Sequence, residues 1–220
     1  MRIHLSSLGC KLNQSEMDAL ARRFALGGHE IVPTAAEAEL CILNTCAVTH
    51  VAAQKSRQAL RRLHRQNPGA RLVATGCYAE LTPADLRDLP GVELVAGNQE
   101  KEQLWRIVGD GEGPAPRPPP MRRRRTRALV KIQDGCDNAC TYCIIHVARG
   151  PQRSRPPDQV LAEVQARLDA EYQEIVLTGV HIGAYGRDRQ PGPGDADLWA
   201  LVSRILSETP VPRLRLSSIE

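Results

Sequence analysis

Three cysteines within eight residues, Cys136, Cys140 and Cys143, form a C-x3-C-x2-C series. Thiols this close along the chain converge on one centre. A cubane iron–sulfur cluster normally takes four cysteines, so three leave one iron open for another ligand, and an open position separates a reactive metal site from a structural one. His146 extends the series to a Cys3His set that a zinc ion can use. Zinc motifs, however, usually separate their ligand pairs by a dozen or more residues so that a loop can fold between them. A second trio, Cys10, Cys46 and Cys77, is spread along the first third of the chain in Leu-Gly-Cys, Asn-Thr-Cys and Thr-Gly-Cys. These three are either a second three-cysteine cluster site or unrelated buried thiols. The seventh cysteine, Cys41, lies inside the apolar run Leu40–Leu43 and reads as a core thiol without a ligand role.

The elements that must position these thiols are legible from periodicity. Strands are predicted at Ile3–Leu5, Glu30–Val32, Leu40–Asn44, Arg71–Thr75 and Val92–Ala96. Helices are predicted at Ser15–Leu26, His50–Gln66, from Pro83 and at Lys101–Val108. Strands alternating with helices make a parallel sheet with crossover helices, a Rossmann-like α/β domain. Each cysteine of the second trio follows the carboxyl end of a predicted strand. Those ends share one edge of a parallel sheet, where ligands bind in open α/β folds. Gly9 and Gly76 let the backbone approach a bulky group closely, and Cys46 precedes a helix whose N-terminal dipole favours a thiolate. From Gly109 to Pro120, three Gly and five Pro fill twelve positions and read as a semi-rigid linker. The rhythm then resumes with strands Ala128–Gln133, Glu174–Thr178 and Leu214–Ile219 and helices Pro157–Glu171 and Asp197–Ser207. This gives an N-terminal domain over 1–108, a Pro/Gly/Arg-rich linker over 109–126 and a second domain over 127–220. Three strands and two helices do not close a barrel, and a terminus inside a strand leaves an unpaired edge. The chain is therefore expected to be the N-terminal part of a longer protein.

Composition bounds the setting. In 220 residues, 42% are apolar and 25% charged, the balance of a soluble globular protein. No run reaches membrane-spanning length and the start lacks a secretory signal, so the expectation is a cytoplasmic protein without a membrane partner. In that reducing compartment cysteines are metal ligands or catalytic thiols before they are disulfides. Aromatic residues are only 3%, which argues against a base-stacking platform. The net charge of +4 permits nucleic-acid binding where cations cluster. They cluster in Met121–Arg127, with five arginines, and in the acid-free segment His50–Gln66. Both suit either RNA phosphates or a solvated face.

The segments Leu8–Gln14 (LGCKLNQ), Asn44–Thr49 (NTCAVT), Thr75–Ala79 (TGCYA), Lys131–Cys136 (KIQDGC), Ala148–Pro151 (ARGP) and Leu177–Gly183 (LTGVHIG) resemble the motifs of the radical S-adenosylmethionine methylthiotransferases. Lys11–Gln14, Ile132–Gly135 and Leu216–Glu220 resemble in particular the branch acting on N6-threonylcarbamoyladenosine in tRNA. The resemblance implies a second domain that is the first part of a partial (β/α) barrel. It implies two [4Fe-4S] clusters, an auxiliary one on Cys10, Cys46 and Cys77 and a radical one on Cys136, Cys140 and Cys143. S-adenosylmethionine would bind the open iron of the latter. The implied reaction inserts sulfur and methyl at adenine C2 in the tRNA anticodon stem-loop, with an external electron donor and the sulfur source unassigned. Gly179, His181 and Tyr185 are candidates to border the cofactor, the alternative being a plain strand-to-helix turn. Arg149, Arg153 and Arg155 are candidates for the cofactor carboxylate or for RNA, the alternative being surface salt-bridge partners. The chain departs from the family in carrying His146 and Val147 where Pro and an aromatic residue are usual. The rival readings are a methylthiotransferase of a ribosomal-protein aspartate and a zinc-stabilised RNA-binding protein without a reaction.

Overall fold

A parallel strand buried on both faces reads as a continuous apolar run. Leu40–Thr45 is buried at all six positions and Arg71–Gly76 at the last five. In a computed structural model, which describes residues 1–109, 126–189, 197–217 and 219, these runs are neighbouring strands of a five-stranded parallel sheet. The chain divides into two compact units, Met1–Pro119 with Val147–Arg149, and Pro120–His146 with Gly150–Glu220.

The first unit contains β1 (Arg2–Ser7), α1 (Lys11–Leu26), β2 (Glu30–Ile31), β3 (Leu40–Thr45), α2 (His50–Gln66), β4 (Arg71–Gly76), α3 (Cys77–Leu81), α4 (Pro83–Arg87), β5 (Val92–Ala96) and α5 (Leu104–Ile107). The strand order is β2-β1-β3-β4-β5. Alternation along β3 sends Leu40 and Ile42 to a core with Phe24 of α1 and Leu104 of α5, and Cys41 and Leu43 to one with Leu60 of α2 and Leu86 of α4. Cys41 is thus a core residue, and burial pushes its thiol up to about 11. Because β1 has β2 on one side and β3 on the other, the winding reverses between β1 and β3, the place where such sheets bind ligands beyond their carboxyl ends.

The second unit contains β6 (Arg127–Lys131), β7 (Gln133–Asp134), α6 (Ile145–Arg149, whose last three residues count with the first unit), β8 (Arg153–Ser154), α7 (Pro157–Asp169), β9 (Glu174–Thr178), α8 (Leu198–Glu208) and β10 (Leu214–Leu216). Strands β10, β9 and β6 form a parallel sheet, and β7 and β8 a separate antiparallel pair. Val130, Ile132, Val160, Ile175, Leu177 and Leu201 lie in its core. The α/β class is therefore as the pattern predicts. No helix among the described residues is long and apolar enough to cross a membrane.

Several boundaries differ from expectation. The strand predicted over Ala128–Gln133 ends at Lys131, because Gln133 and Asp134 pair with Ser154 and Arg153 instead. The helix predicted to Glu171 stops at Asp169, and Glu171 adopts φ 63°, outside helical geometry. Lys101–Val108 is split into a 3-10 turn and α5, and β10 ends at Leu216. Residues 110–125, which carry most of the predicted linker and arginine run, lie outside the described residues.

Candidate metal centres

Neighbouring strands stand about 4.8 Å apart, so residues beyond the ends of β1, β3 and β4 are brought together by sheet order alone. Cys10 is the N-cap of α1, Cys46 follows β3 and Cys77 opens α3. Cys46 and Cys77 are buried and Cys10 is exposed. The approach depends on two glycines. Gly9 has φ 97°, and a Cβ there would lie 2.9 Å from the Cys46 Sγ; Gly76 has φ 98°, and a Cβ would lie 2.2 Å from Asn44 Oδ1. Any other residue at either position would be strained and would collide. Ser56 of α2 pins Cys46 from below: its Oγ accepts from the Cys46 backbone N–H at 3.1 Å and donates to the Cys46 carbonyl at 2.9 Å. Burial pushes the Cys46 thiol up, the Val48 backbone N–H draws it down, the Cys77 and Cys10 thiols push it up further, and the Arg149 guanidinium draws it down. The helix expected to favour a Cys46 thiolate begins only at His50, with Thr49 as its cap. Helix starts fall at Cys10 and Cys77 instead.

Beneath the trio lies a buried polar group that sequence patterns do not single out. Glu16 accepts from Arg149 Nη1 at 2.9 Å through one oxygen, and from Lys101 Nζ at 2.6 Å and Asn44 Nδ2 at 3.0 Å through the other. Arg149 Nη2 donates to Asn13 Oδ1 at 2.6 Å, and Asn13 Nδ2 donates to the Leu8 and Thr45 carbonyls. Lys101 also donates to Asn98 Oδ1 at 2.6 Å, while Asn98 Nδ2 faces Cys77 Sγ at 3.8 Å. Arg149 is thus placed in the first unit, with its guanidinium taken by Glu16 and Asn13.

In the second unit the β7–β8 pair closes the neck of a loop that carries Cys136, Cys140 and Cys143. The neck is tightened by Cys136 N–H to the Gly150 carbonyl at 3.1 Å and Gln152 N–H to Asp137 Oδ1 at 2.8 Å. Gly135 has φ 68°, and a Cβ there would lie 1.9 Å from the Pro151 carbonyl oxygen. Within the loop, Cys143 N–H bonds to the Cys140 carbonyl at 3.1 Å. Cys140 is exposed, and Cys136 and Cys143 are half-buried. Among the described residues the buried Nδ1 of His146 has no hydrogen-bond partner.

Gln133, fully buried, joins this loop to the turn after β9. Its Nε2 donates to the Asp134 and Gly135 carbonyls, and its Oε1 accepts from Val180 N–H at 2.9 Å and His181 N–H at 3.0 Å. A Cβ on Gly179 would lie 2.8 Å from that Oε1, and Asn138 Nδ2 lies 3.3 Å from His181 Nδ1. Gly179 and His181 are therefore brought to the cysteine loop. Tyr185 is not among these contacts: it is 1% exposed in the core, and its hydroxyl donates to the Arg155 carbonyl at 2.6 Å. Arg155 itself pairs with Glu163 at 2.6 Å.

Both trios offer thiols as their donor set, and glycines let the backbone pack closely beside them. Among the described residues no group of three or more His, Cys, Asp or Glu side chains is placed to hold a metal ion.

Residues 2–97 match the model of an uncharacterized protein family, UPF0004, and residues 130–219 that of the radical SAM superfamily. The chain is 39% identical over 231 residues to the threonylcarbamoyladenosine tRNA methylthiotransferase MtaB of Bacillus subtilis, covering 97% of this chain and 50% of that protein. It is 33% identical to the MtaB of Aquifex aeolicus, covering 100% and 56%. It is 32% identical to the ribosomal protein uS12 methylthiotransferase RimO of Chloroflexus aurantiacus, covering 93% and 52%. Among solved structures it shares its fold with a radical S-adenosylmethionine methyltransferase, TsrM from Kitasatospora setae, at TM-score 0.54 and 15% identity over 83% of this chain and 48% of that one. The chain spans about half the length of the curated relatives it matches. Residues 2–97 thus match UPF0004 and residues 130–219 the radical SAM superfamily, and across both the chain is similar to proteins named as methylthiotransferases.

Proposed function

We propose that this chain belongs to a cytoplasmic enzyme that methylthiolates N6-threonylcarbamoyladenosine at adenine C2 in the anticodon stem-loop of tRNA. The observation that carries the reading is the pair of separate cysteine trios, one beyond the strand ends of the first unit's sheet and one on a single loop of the second, each with glycines that let the backbone pack closely beside it, in a chain similar to proteins named for that activity. Cys10, Cys46 and Cys77 would hold one [4Fe-4S] cluster and Cys136, Cys140 and Cys143 a second, with S-adenosylmethionine at the latter's open iron. Bound there, these groups supply the one-electron chemistry that an inert adenine C–H bond requires and that no side-chain acid or base provides. The protein's own role is placement. Gln133 fixes the cysteine loop against the Gly179–His181 turn, so the bare Gly179 backbone and the His181 ring border the cofactor. Tyr185 supports that turn from the core. On α2, Lys55, Arg61, Arg62 and Arg65 are exposed and would meet tRNA phosphates, whereas Arg57 is engaged by Tyr78. The full-length protein would draw electrons from an external donor.

Mass spectrometry of nucleosides from a strain lacking the gene tests the reading. The methylthio group should disappear from threonylcarbamoyladenosine. An intact nucleoside together with an unmodified aspartate in a ribosomal protein would replace the tRNA reading with the ribosomal one. Anaerobically reconstituted protein should be brown, and colourless protein holding stoichiometric zinc would refute both.

A further inference from the structure

Strand β1 breaks the rule that an inner parallel strand is apolar on both faces. Its Ile3 and Leu5 pack under α1, but His4 and Ser6, in register with Cys41 and Leu43 of β3, share the face on which α2 packs. The chain passes from β2 over β1 to β3 with only a 3-10 turn, Ala35–Glu37, in place of a crossover helix. That leaves a cavity of about 460 Å³ between β1, the turn and α2. Helix α2 turns Ala59, Arg62, Leu63 and Gln66 toward it, the i, i+3, i+4, i+7 spacing of one helical face. Leu8, Leu43 and Leu63 make an apolar wall, and no Asp or Glu lines the cavity. Arg62 and Gln66 are exposed and engaged by no ion pair or hydrogen bond among the described residues. Among the same residues Ser6 Oγ is buried without a hydrogen-bond partner, which is unfavourable for a hydroxyl.

We propose that this cavity is a nucleotide subsite: it takes one nucleotide of an RNA strand, with the phosphate on Arg62 and Gln66 and the base against the leucine wall, where Ser6 meets its polar edge. This rests on the reading that the substrate is RNA. Size and chemistry both point to such a ligand. An inorganic anion would leave most of the volume unfilled, whereas cavities of roughly 300–1,000 Å³ hold organic molecules. A purely apolar ligand would strip water from Arg62 and give nothing in return. The wall is aliphatic, so the base is held by contact and hydrogen bonding rather than by aromatic stacking. What flanks the cavity favours a strand over a free nucleotide. Lys55, Arg61 and Arg65 are exposed on the same helix, and the sequence holds no acid from Cys41 to Ala79. A single free nucleotide cannot use those cations, whereas the neighbouring phosphates of a strand pair with them and release counterions.

The test is binding of a fluorescein-labelled tRNA anticodon stem-loop transcript to the full-length apo-protein, read by anisotropy over a series of salt concentrations. Ala59→Leu fills the cavity and removes no charge, yet it should weaken binding at least tenfold and lower the salt slope by about 1, because the phosphate on Arg62 is lost with its nucleotide. Arg62→Gln in the parent should lower the slope by about 1 too. In the Ala59→Leu background it should add less than twofold, while Arg61→Gln, outside the cavity, should keep its full effect in both. Thermal melting checks folding; should Ala59→Leu fail to fold, Ala36→Leu on the exposed turn fills the same cavity. Adenosine 5′-monophosphate separates the sources. If it binds the parent and not Ala59→Leu while the stem-loop binds both alike, the cavity belongs to a free nucleotide and the inference is overturned. Stem-loop binding unchanged by Ala59→Leu overturns the inference alone, whereas no binding of the stem-loop by the parent overturns the RNA reading with it.

Discussion

Replacing Gly135 by Ala isolates the contribution of the loop neck. At φ 68° an L-residue other than Gly costs about 1 kcal/mol, and Gly28→Ala measures that cost by itself, because Gly28 has φ 80° and an added Cβ there would meet nothing within 4 Å. At Gly135 the added Cβ would meet the Pro151 carbonyl oxygen at 1.9 Å, so the neck must open by roughly 1 Å or more to restore an ordinary contact distance. Opening it breaks the Cys136 N–H bond to Gly150 and the Gln152 N–H bond to Asp137, each contributing about 1 kcal/mol. The expected loss is therefore about 3 kcal/mol, against about 1 kcal/mol for Gly28→Ala. Urea denaturation of the apo-proteins gives the two values, and hydrogen exchange at the Cys136 and Gln152 amides locates the change. Iron at the second trio should fall while the first trio stays loaded. Equal losses for the two substitutions, or unchanged amide protection at the neck, would refute the assignment of Gly135 as the residue that lets the loop close.

Gly76→Ala should deplete iron at the first trio and spare the second, since its Cβ would lie 2.5 Å from the Thr45 carbonyl oxygen as well as against Asn44; separate iron assays on the complementary cysteine variants check this. Replacing Cys136, Cys140 and Cys143 together should leave about half the iron, replacing Cys10, Cys46 and Cys77 the other half, on the premise of two like clusters. Cys41→Ala should keep both halves and cost about 1 kcal/mol of stability as a small core cavity, read by denaturation. Burial raises the Asp188 carboxyl, but bonds from Ser154 Oγ and N–H and from Gln152 outweigh it and hold the group below the ordinary aspartate range. The stability Asp188 contributes is thus present above that range and lost as pH falls through its lowered pKa, and Asp188→Asn should flatten this acid limb in a series of melts.

What the sequence determined by itself was local or repetitive. The C-x3-C-x2-C spacing is a property of eight residues, and alternating strand and helix patterns are enough to set Cys10, Cys46 and Cys77 at one sheet edge, because a parallel sheet aligns all its carboxyl ends. Periodicity also told the core thiol Cys41 from the others. It reports which side of an element is buried, and nothing about what a buried polar atom meets. Glu16 lies 85 residues from Lys101 and 133 from Arg149, so no window along the chain contains the group they form. Arg149 shows the consequence: the sequence left it between a cofactor carboxylate, RNA and a salt bridge, and the fold gives its guanidinium to Glu16 and Asn13. Gln133 likewise looked like one residue of a strand, yet its amide spans the cysteine loop and the turn after β9. Buried polar groups must find partners wherever the folded chain brings them, and only the tertiary structure decides where that is.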